Sequence, residues 1–250
     1  MTSWIRQALR SGLLTTRFPK VAASAEELPD TGRPPRPGPG GDRGRAPSLP
    51  VACPTGAIRP EGIDQGRCIR CARCRSGGFV PSGGAEANVG DRAGLFWPDG
   101  EGPPPAGPRP SPLRLLGRSL ALFLIDVGSC QACFGEVQAL ASPYYDLSRL
   151  GMSFTNSPRH ADLLVVVGIP TAAMVAPLRR TYAALPGPKA VLAVGACAID
   201  GGIFRESSQP SVAELVPVDL FVAGCPPPPV AVLAGILELT GRMARPEVPP

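Results

Sequence analysis

Eight cysteines constrain this 250-residue chain more than any other feature, because they fall into two groups of four: Cys53, Cys68, Cys71 and Cys74, then Cys130, Cys133, Cys197 and Cys225. Four thiolates are the ligand count of one cubane iron-sulfur cluster, so eight satisfy two 4Fe-4S clusters and leave no cysteine for a disulfide or a lone nucleophile. Any fold for this chain has to bring each group together.

The rest of the composition shows where folding is cheap. Gly (30) and Pro (33) concentrate at residues 28–50 and 76–112, stretches that read as linker rather than core. Residues 118–241 are instead rich in Val, Leu, Ile and Ala, and their length suits one compact domain. The expected division is an amphipathic helix over 1–20, a flexible linker over 21–50, a cysteine module over 51–80, a Gly/Pro-rich linker over 81–117, a domain over 118–242 and a tail over 243–250. In the first segment Trp4, Ile5, Ala8, Leu9, Leu13 and Leu14 recur at helical spacing with Arg6 and Arg10 on other faces, which suits packing on the chain's own body or docking on a partner subunit or membrane surface.

The formal charge of +5 comes from basic residues spread along the chain, and all but two of the 25 are arginine. Aromatics make only 5%, so the stacking platform of nucleic-acid binders is missing. No apolar run approaches the roughly 20 residues of a membrane span. Residues 1–20 lack the apolar core and cleavage site of a secretory signal, so the thiols are expected to stay in a reducing cytosol, which would favour metal thiolates over disulfides.

The first cysteine group reads Cys53-Pro54-Thr55-Gly56-Ala57-Ile58, then Cys68-Ile69-Arg70-Cys71-Ala72-Arg73-Cys74. This resembles the bacterial two-cluster ferredoxin pattern, in which the fourth cysteine of each C-x2-C-x2-C-x3-C-P run ligates the other run's cluster. Cys53 matches the fourth cysteine of the first run, and Cys68, Cys71 and Cys74 match the first three of the second. The other cluster's positions hold Arg43, Ala46, Leu49 and Gly78, so the resemblance implies one ligand set kept whole and one lost whole. Four thiolates also satisfy a structural zinc, although zinc ribbons usually pair two C-x2-C knuckles. Arg67, Arg70, Arg73 and Arg75 interleave with the ligands and would favour the more negative, reduced state of a cluster held there.

The second group hangs on apolar runs. Residues 120–127, 163–167, 190–194 and 220–222 each read as a buried strand followed by glycine, and three of the four lead into cysteine. Helix patterns at 136–140, 172–185 and 230–240 alternate with them, which predicts an α/β fold with a parallel sheet. Ligands of open parallel sheets sit at the carboxyl ends of strands, so cysteines distant in sequence can converge there.

Residues 118–241 resemble the family of the 20 kDa subunit of respiratory complex I and the small subunit of energy-converting nickel-iron hydrogenases. The resemblance rests on Ser142-Pro143-Tyr144-Tyr145-Asp146, Ser157-Pro158-Arg159-His160-Ala161-Asp162, Gly195-Ala196-Cys197-Ala198, Gly201-Gly202-Ile203-Phe204 and Val216-Pro217-Val218-Asp219 leading to Gly224-Cys225-Pro226-Pro227. It implies a flavodoxin-like domain in which Cys130, Cys133, Cys197 and Cys225 hold the 4Fe-4S cluster nearest a large subunit's active site. The complex I branch carries adjacent cysteines at the first position, whereas Cys130-Gln131-Ala132-Cys133 has the hydrogenase spacing. Phe134 stands where hydrogenases often place an acidic residue, Glu136 matches a second acidic position, and Ala223 replaces a usual proline. The N-terminal helix and front module in turn resemble a separate ferredoxin-like subunit of formate hydrogenlyase and of complex I, so two neighbouring subunits read as fused.

By this resemblance the chain is an electron-transfer subunit of a membrane-associated nickel-iron hydrogenase complex on the cytoplasmic face of the inner membrane. Its partners would be a large subunit and other iron-sulfur and membrane-arm subunits. A complex-I-like subunit delivering electrons to quinone is the alternative, with Tyr144, Met152 and Arg159 near the headgroup, and a non-catalytic assembly or sensing module is a third reading. His160, the one histidine, reads as a structural hydrogen bonder, Arg159 and Asp162 as a partly buried pair, and Pro226 to Pro229 as a run that fixes a turn. No P-loop, G-x-G-x2-G or hydrolytic triad is present, so no nucleotide is expected in this chain.

Overall fold

The computed structural model describes residues 15–38, 53–98, 112–116, 119–205 and 209–243. Among them, short strands β1 (Pro35–Pro37), β2 (Ile58–Arg59), β3 (Gly62–Asp64), β4 (Phe79–Pro81), β5 (Val89–Gly90) and β6 (Phe96–Pro98) come first. Then β7 (Leu120–Asp126), α1 (Ala132–Gln138), β8 (Met152–Phe154), β9 (Leu163–Val167), α2 (Ala172–Ala184), β10 (Ala190–Val194), α3 (Ala196–Asp200), β11 (Leu220–Val222) and α4 (Pro229–Leu239) build the larger layer.

The main sheet has the order β5-β11-β10-β9-β7-β8, and β7 to β11 pair in parallel. This is the flavodoxin-type doubly wound order, with the strand order reversing between β7 and β9. The strands are continuously apolar because both faces are covered. Leu163, Val165, Val167, Leu192 and Val194 enter one core with Val137 of α1 and most of α4, while Leu164, Val166, Val191 and Ala193 enter the other with Leu178 of α2 and Ile199 of α3. Leu192 is fully buried, so Leu192→Ala should lower stability by about 2–5 kcal/mol through lost transfer energy and a residual cavity. Chemical denaturation of the full chain measures it, and a loss below about 1 kcal/mol would contradict this packing.

The predicted strands and helices of the back domain are where expected, with α1 beginning earlier than 136 so that Cys133 lies on it. The linkers are not linkers where they are described. Residues 15–38 pack on the back domain: Phe18 and Leu28 are buried in its core, and Arg149 donates to the carbonyls of Thr16 (2.8 Å) and Phe18 (3.1 Å). Residues 85–98 supply β5, antiparallel to β11 at the sheet edge, and β6, which completes the antiparallel sheet β2-β3-β6. Gly and Pro content masked these pairings, since Val89, Leu95 and Trp97 are enough to bury the segment. Residues 1–14 of the expected helix and 99–111 of the second linker lie outside the described residues. Among the described residues no helix is long and apolar enough to cross a membrane.

Candidate metal centre

Two places gather cysteine. At the front, residues 68–74 wrap into a compact loop because Arg70 (φ 56°) and Ala72 (φ 61°) both adopt the left-handed conformation, which bends the backbone twice between ligands. Cys53, Cys68, Cys71 and Cys74 consequently line one pocket, walled by Ala57, Ile58, Ile69, Phe79 and Val80. Burial, and then the charges of Cys68, Cys71 and Cys53, push the Cys74 thiol up to about 11.

The second group gathers at the carboxyl ends of strands, as parallel-sheet chemistry requires. Cys130 follows β7 on an irregular turn, Cys133 lies on α1, Cys197 on α3 after β10, and Cys225 follows β11. Burial, then Cys225, Cys197, Cys130 and Glu136, push the Cys133 thiol up to about 12. Burial, then Cys225 and Cys130, push Cys197 up to about 11. Burial is the larger cause of both shifts, and a buried thiol becomes a thiolate when a cation coordinates it, which is what an iron-sulfur cluster would supply. The backbone runs close against these sulfurs: a Cβ on Gly195 would lie 2.5 Å from Cys133 Sγ, and one on Gly202 would lie 3.0 Å from Cys197 Sγ. Among the described residues no three His, Cys, Asp or Glu side chains are close enough to share a single metal ion.

A charged seam joins the two groups. Arg67, next to Cys68, meets Asp200 at the end of α3 at 2.7 Å, and Arg205 approaches Asp200 at 3.4 Å. Asp64, almost fully buried, holds Arg92 bidentately at 2.9 and 2.7 Å and Arg67 at 3.3 Å. Arg70 donates to Gln65 Oε1 (2.6 Å) and to Asn88 Oδ1 (2.8 Å), while the Asn88 carbonyl accepts the N–H of Ala223, two residues before Cys225. Burial pulls Arg70 below the usual arginine range against the attraction of Cys68 and Cys74. Arg70 Nε and Asn88 Nδ2 are buried N–H groups without a hydrogen-bond partner among the described residues. Asn88 thus joins the front loop, through Arg70, to the turn before Cys225, so the two groups are near neighbours.

A family described as NADH ubiquinone oxidoreductase, 20 Kd subunit, matches residues 130–239, the span that contains Cys130, Cys133, Cys197 and Cys225. A probable membrane-bound hydrogenase subunit of Pyrococcus furiosus is 41% identical over 142 residues, which cover 55% of this chain and 85% of the relative. The chain belongs to the 20 kDa subunit family. Formate hydrogenlyase subunit 7 of Escherichia coli is 38% identical over 140 residues, 55% of this chain and 55% of the relative. An NADH-quinone oxidoreductase subunit of Desulfovibrio desulfuricans is 37% identical over 169 residues, 66% of this chain and 88% of the relative. The front cysteines lie outside the family match.

The other residues singled out in the sequence lie apart from the cysteines. Met152 opens β8 and Arg159 precedes β9, whereas the cysteines follow strands, so a parallel sheet sets them at opposite ends. Met152 is buried in the core and cannot touch a headgroup or partner. Arg159 and His160 are exposed, and the expected Arg159–Asp162 pair is absent among the described residues; Asp162 instead accepts the Ala121 N–H at 2.8 Å. Tyr144 is partly exposed, stacks edge-on against Tyr145 at 5.1 Å, and its carbonyl accepts Thr16 N–H at 2.8 Å, which ties residues 15–28 to the domain. Asp126, Asn88, Asp64, Arg92 and Asp200 were not singled out from the sequence. Asp126 and Asp64 each carry a local signal, an Asp two residues before Gly at a strand end, which is a turn former.

Proposed function

We propose that this chain is the iron-sulfur electron-transfer subunit of a membrane-associated nickel-iron hydrogenase complex of the formate-hydrogenlyase type. Cys53, Cys68, Cys71 and Cys74 would hold one 4Fe-4S cluster and Cys130, Cys133, Cys197 and Cys225 a second. The clusters supply one-electron storage when bound; the chain positions them and relays electrons between the front cluster and a large subunit that carries the substrate chemistry. The observation that carries the hydrogenase reading is the C-x2-C spacing of Cys130 and Cys133, on a domain whose relatives include hydrogenase subunits. The name of the Pyrococcus relative supports attachment to a membrane complex; the cytoplasmic face is part of the proposal.

The quinone reading draws support from the NADH-quinone oxidoreductase relative, most of whose length is matched. The C-x2-C spacing and the burial of Met152 count against it. Purification of the full chain with its neighbouring large subunit separates the two: two C-x2-C motifs and bound nickel in that subunit support hydrogenase, and their absence overturns it. Iron and sulfide near eight per chain support two cubanes, while about four of each with zinc would sink the front assignment. The arginines around the front pocket should raise its cluster's potential, so Arg70→Gln with Arg73→Gln is expected to lower the midpoint by tens of millivolts, where about 59 mV is tenfold in a one-electron equilibrium constant. An unchanged midpoint in an EPR-monitored redox titration removes that role.

A further inference from the structure

The ligands of the second group are not held equally. Cys133 and Cys197 lie on α1 and α3, and Cys225 follows a strand closed by a proline run, whereas Cys130 sits exposed on a turn with no regular structure of its own. What that turn has is Asp126, the last residue of β7. Its Oδ1 accepts the backbone N–H groups of Gly128 (2.9 Å) and Ser129 (2.8 Å). Its Oδ2 accepts the Ser129 hydroxyl (2.7 Å) and the Gln131 side-chain amide (2.6 Å). Ser129 Oγ in turn accepts the Gln131 N–H at 3.0 Å. Both chain neighbours of Cys130 therefore hang on one carboxylate, which is anchored in the sheet.

The structure assigns Asp126 the role of positioning residue for Cys130, fixing that thiol for the cluster of the second group. The inference rests on the cluster reading above. A carboxylate with four donors is a stiffer tether than neutral turn bonds, because charge-assisted hydrogen bonds are shorter and stronger. Its partners constrain the backbone on both sides of the ligand, and none of them belongs to Cys133. Outer-shell partners of this kind typically change metal affinity about 10- to 100-fold.

The test uses the full chain loaded with iron and sulfide, with the front cluster as internal control. Asp126→Ala should leave the front EPR signal intact and make the second cluster lose iron to a chelator about 10- to 100-fold faster as one thiolate lets go, and a sample oxidised with ferricyanide should show the EPR signal of the resulting three-iron cluster. Asp126→Asn keeps an acceptor for the two backbone N–H groups but offers an N–H to Ser129 and Gln131, so it should fall between. Ser129→Ala with Gln131→Ala removes the Oδ2 partners without touching the sheet and should reproduce part of the loss. If Asp126→Ala and the double variant both keep the second cluster at the wild-type rate, the role is refuted even with wild type holding eight iron. If wild type holds no iron on the second group, the cluster reading itself fails and takes this inference with it, a result visible before any variant is made. A shift in midpoint with unchanged iron retention would show a charge effect and likewise refute positioning.

Discussion

Gly195→Ala is expected to empty the second cysteine group and leave the first filled, with iron falling from near eight to about four per chain. Gly195 has φ 93° and ψ 154°, a backbone region open essentially to glycine alone. A side chain there costs on the order of 1–3 kcal/mol in strain before any contact is counted. The contact adds to the strain: the new Cβ would sit 2.5 Å from Cys133 Sγ, a distance that forces the thiol out of place. Relaxation is restricted because Gly195 lies between β10 and α3, with its N–H on the Val222 carbonyl (2.8 Å) and the next N–H on Gly224 (2.8 Å). Those bonds join the turn that delivers Cys197 to the turn that delivers Cys225, so movement to spare Cys133 displaces the other two. EPR of the reduced protein should show the front signal alone. Retention of both signals would mean that the second cluster does not occupy the space in front of Gly195.

The contrast between Gly195 and its surroundings shows what could be read from the chain beforehand. Runs such as 163–167 and 190–194 were legible because a strand covered on both faces is apolar at every position and stops at glycine. Strand β8 was not, since Met152 to Phe154 is a three-residue edge whose partner, the start of β7, decides its state. Strand β5 was harder still: Val89 and Gly90 have no strand pattern, and only the exposed edge of β11 makes them one. The same division holds at the site. Cysteines announce themselves by type and count, and those of the second group by their places at strand ends. The residues that relate one group to the other, Asp64, Asn88, Arg92 and Asp200, are ordinary polar residues far apart in sequence, and their role exists only through tertiary contact.

Asp64→Ala should dislodge the front group while the back domain stays folded. Asp64 is buried, lies on β3, accepts the Gly66 N–H at 3.1 Å and faces Arg92, Arg67 and Arg59. Removing one carboxylate leaves three guanidinium groups crowded together and a backbone donor without its acceptor. Breaking a buried pair from one side costs about 3–5 kcal/mol, and the lower end applies here because Arg92 and Arg59 are more than a third exposed and partly screened. Arg67 would then be drawn wholly toward Asp200, away from β3, and it adjoins Cys68 in the front loop. The front cluster should therefore be lost or become labile, since its loop, unlike the second group's turns, is not built on the main sheet. The two cores on either face of that sheet do not include Asp64, so the second EPR signal and the far-ultraviolet circular dichroism should persist. Asp64→Asn keeps the acceptor for Gly66 but not the charge, so the share of the damage it reproduces separates the ion pairs from the turn. An unchanged front signal and unfolding midpoint in both variants would show that the ion pairs of Asp64 do not hold the front group, and that the Arg70–Asn88–Ala223 bonds and the pairing of β5 with β11 suffice.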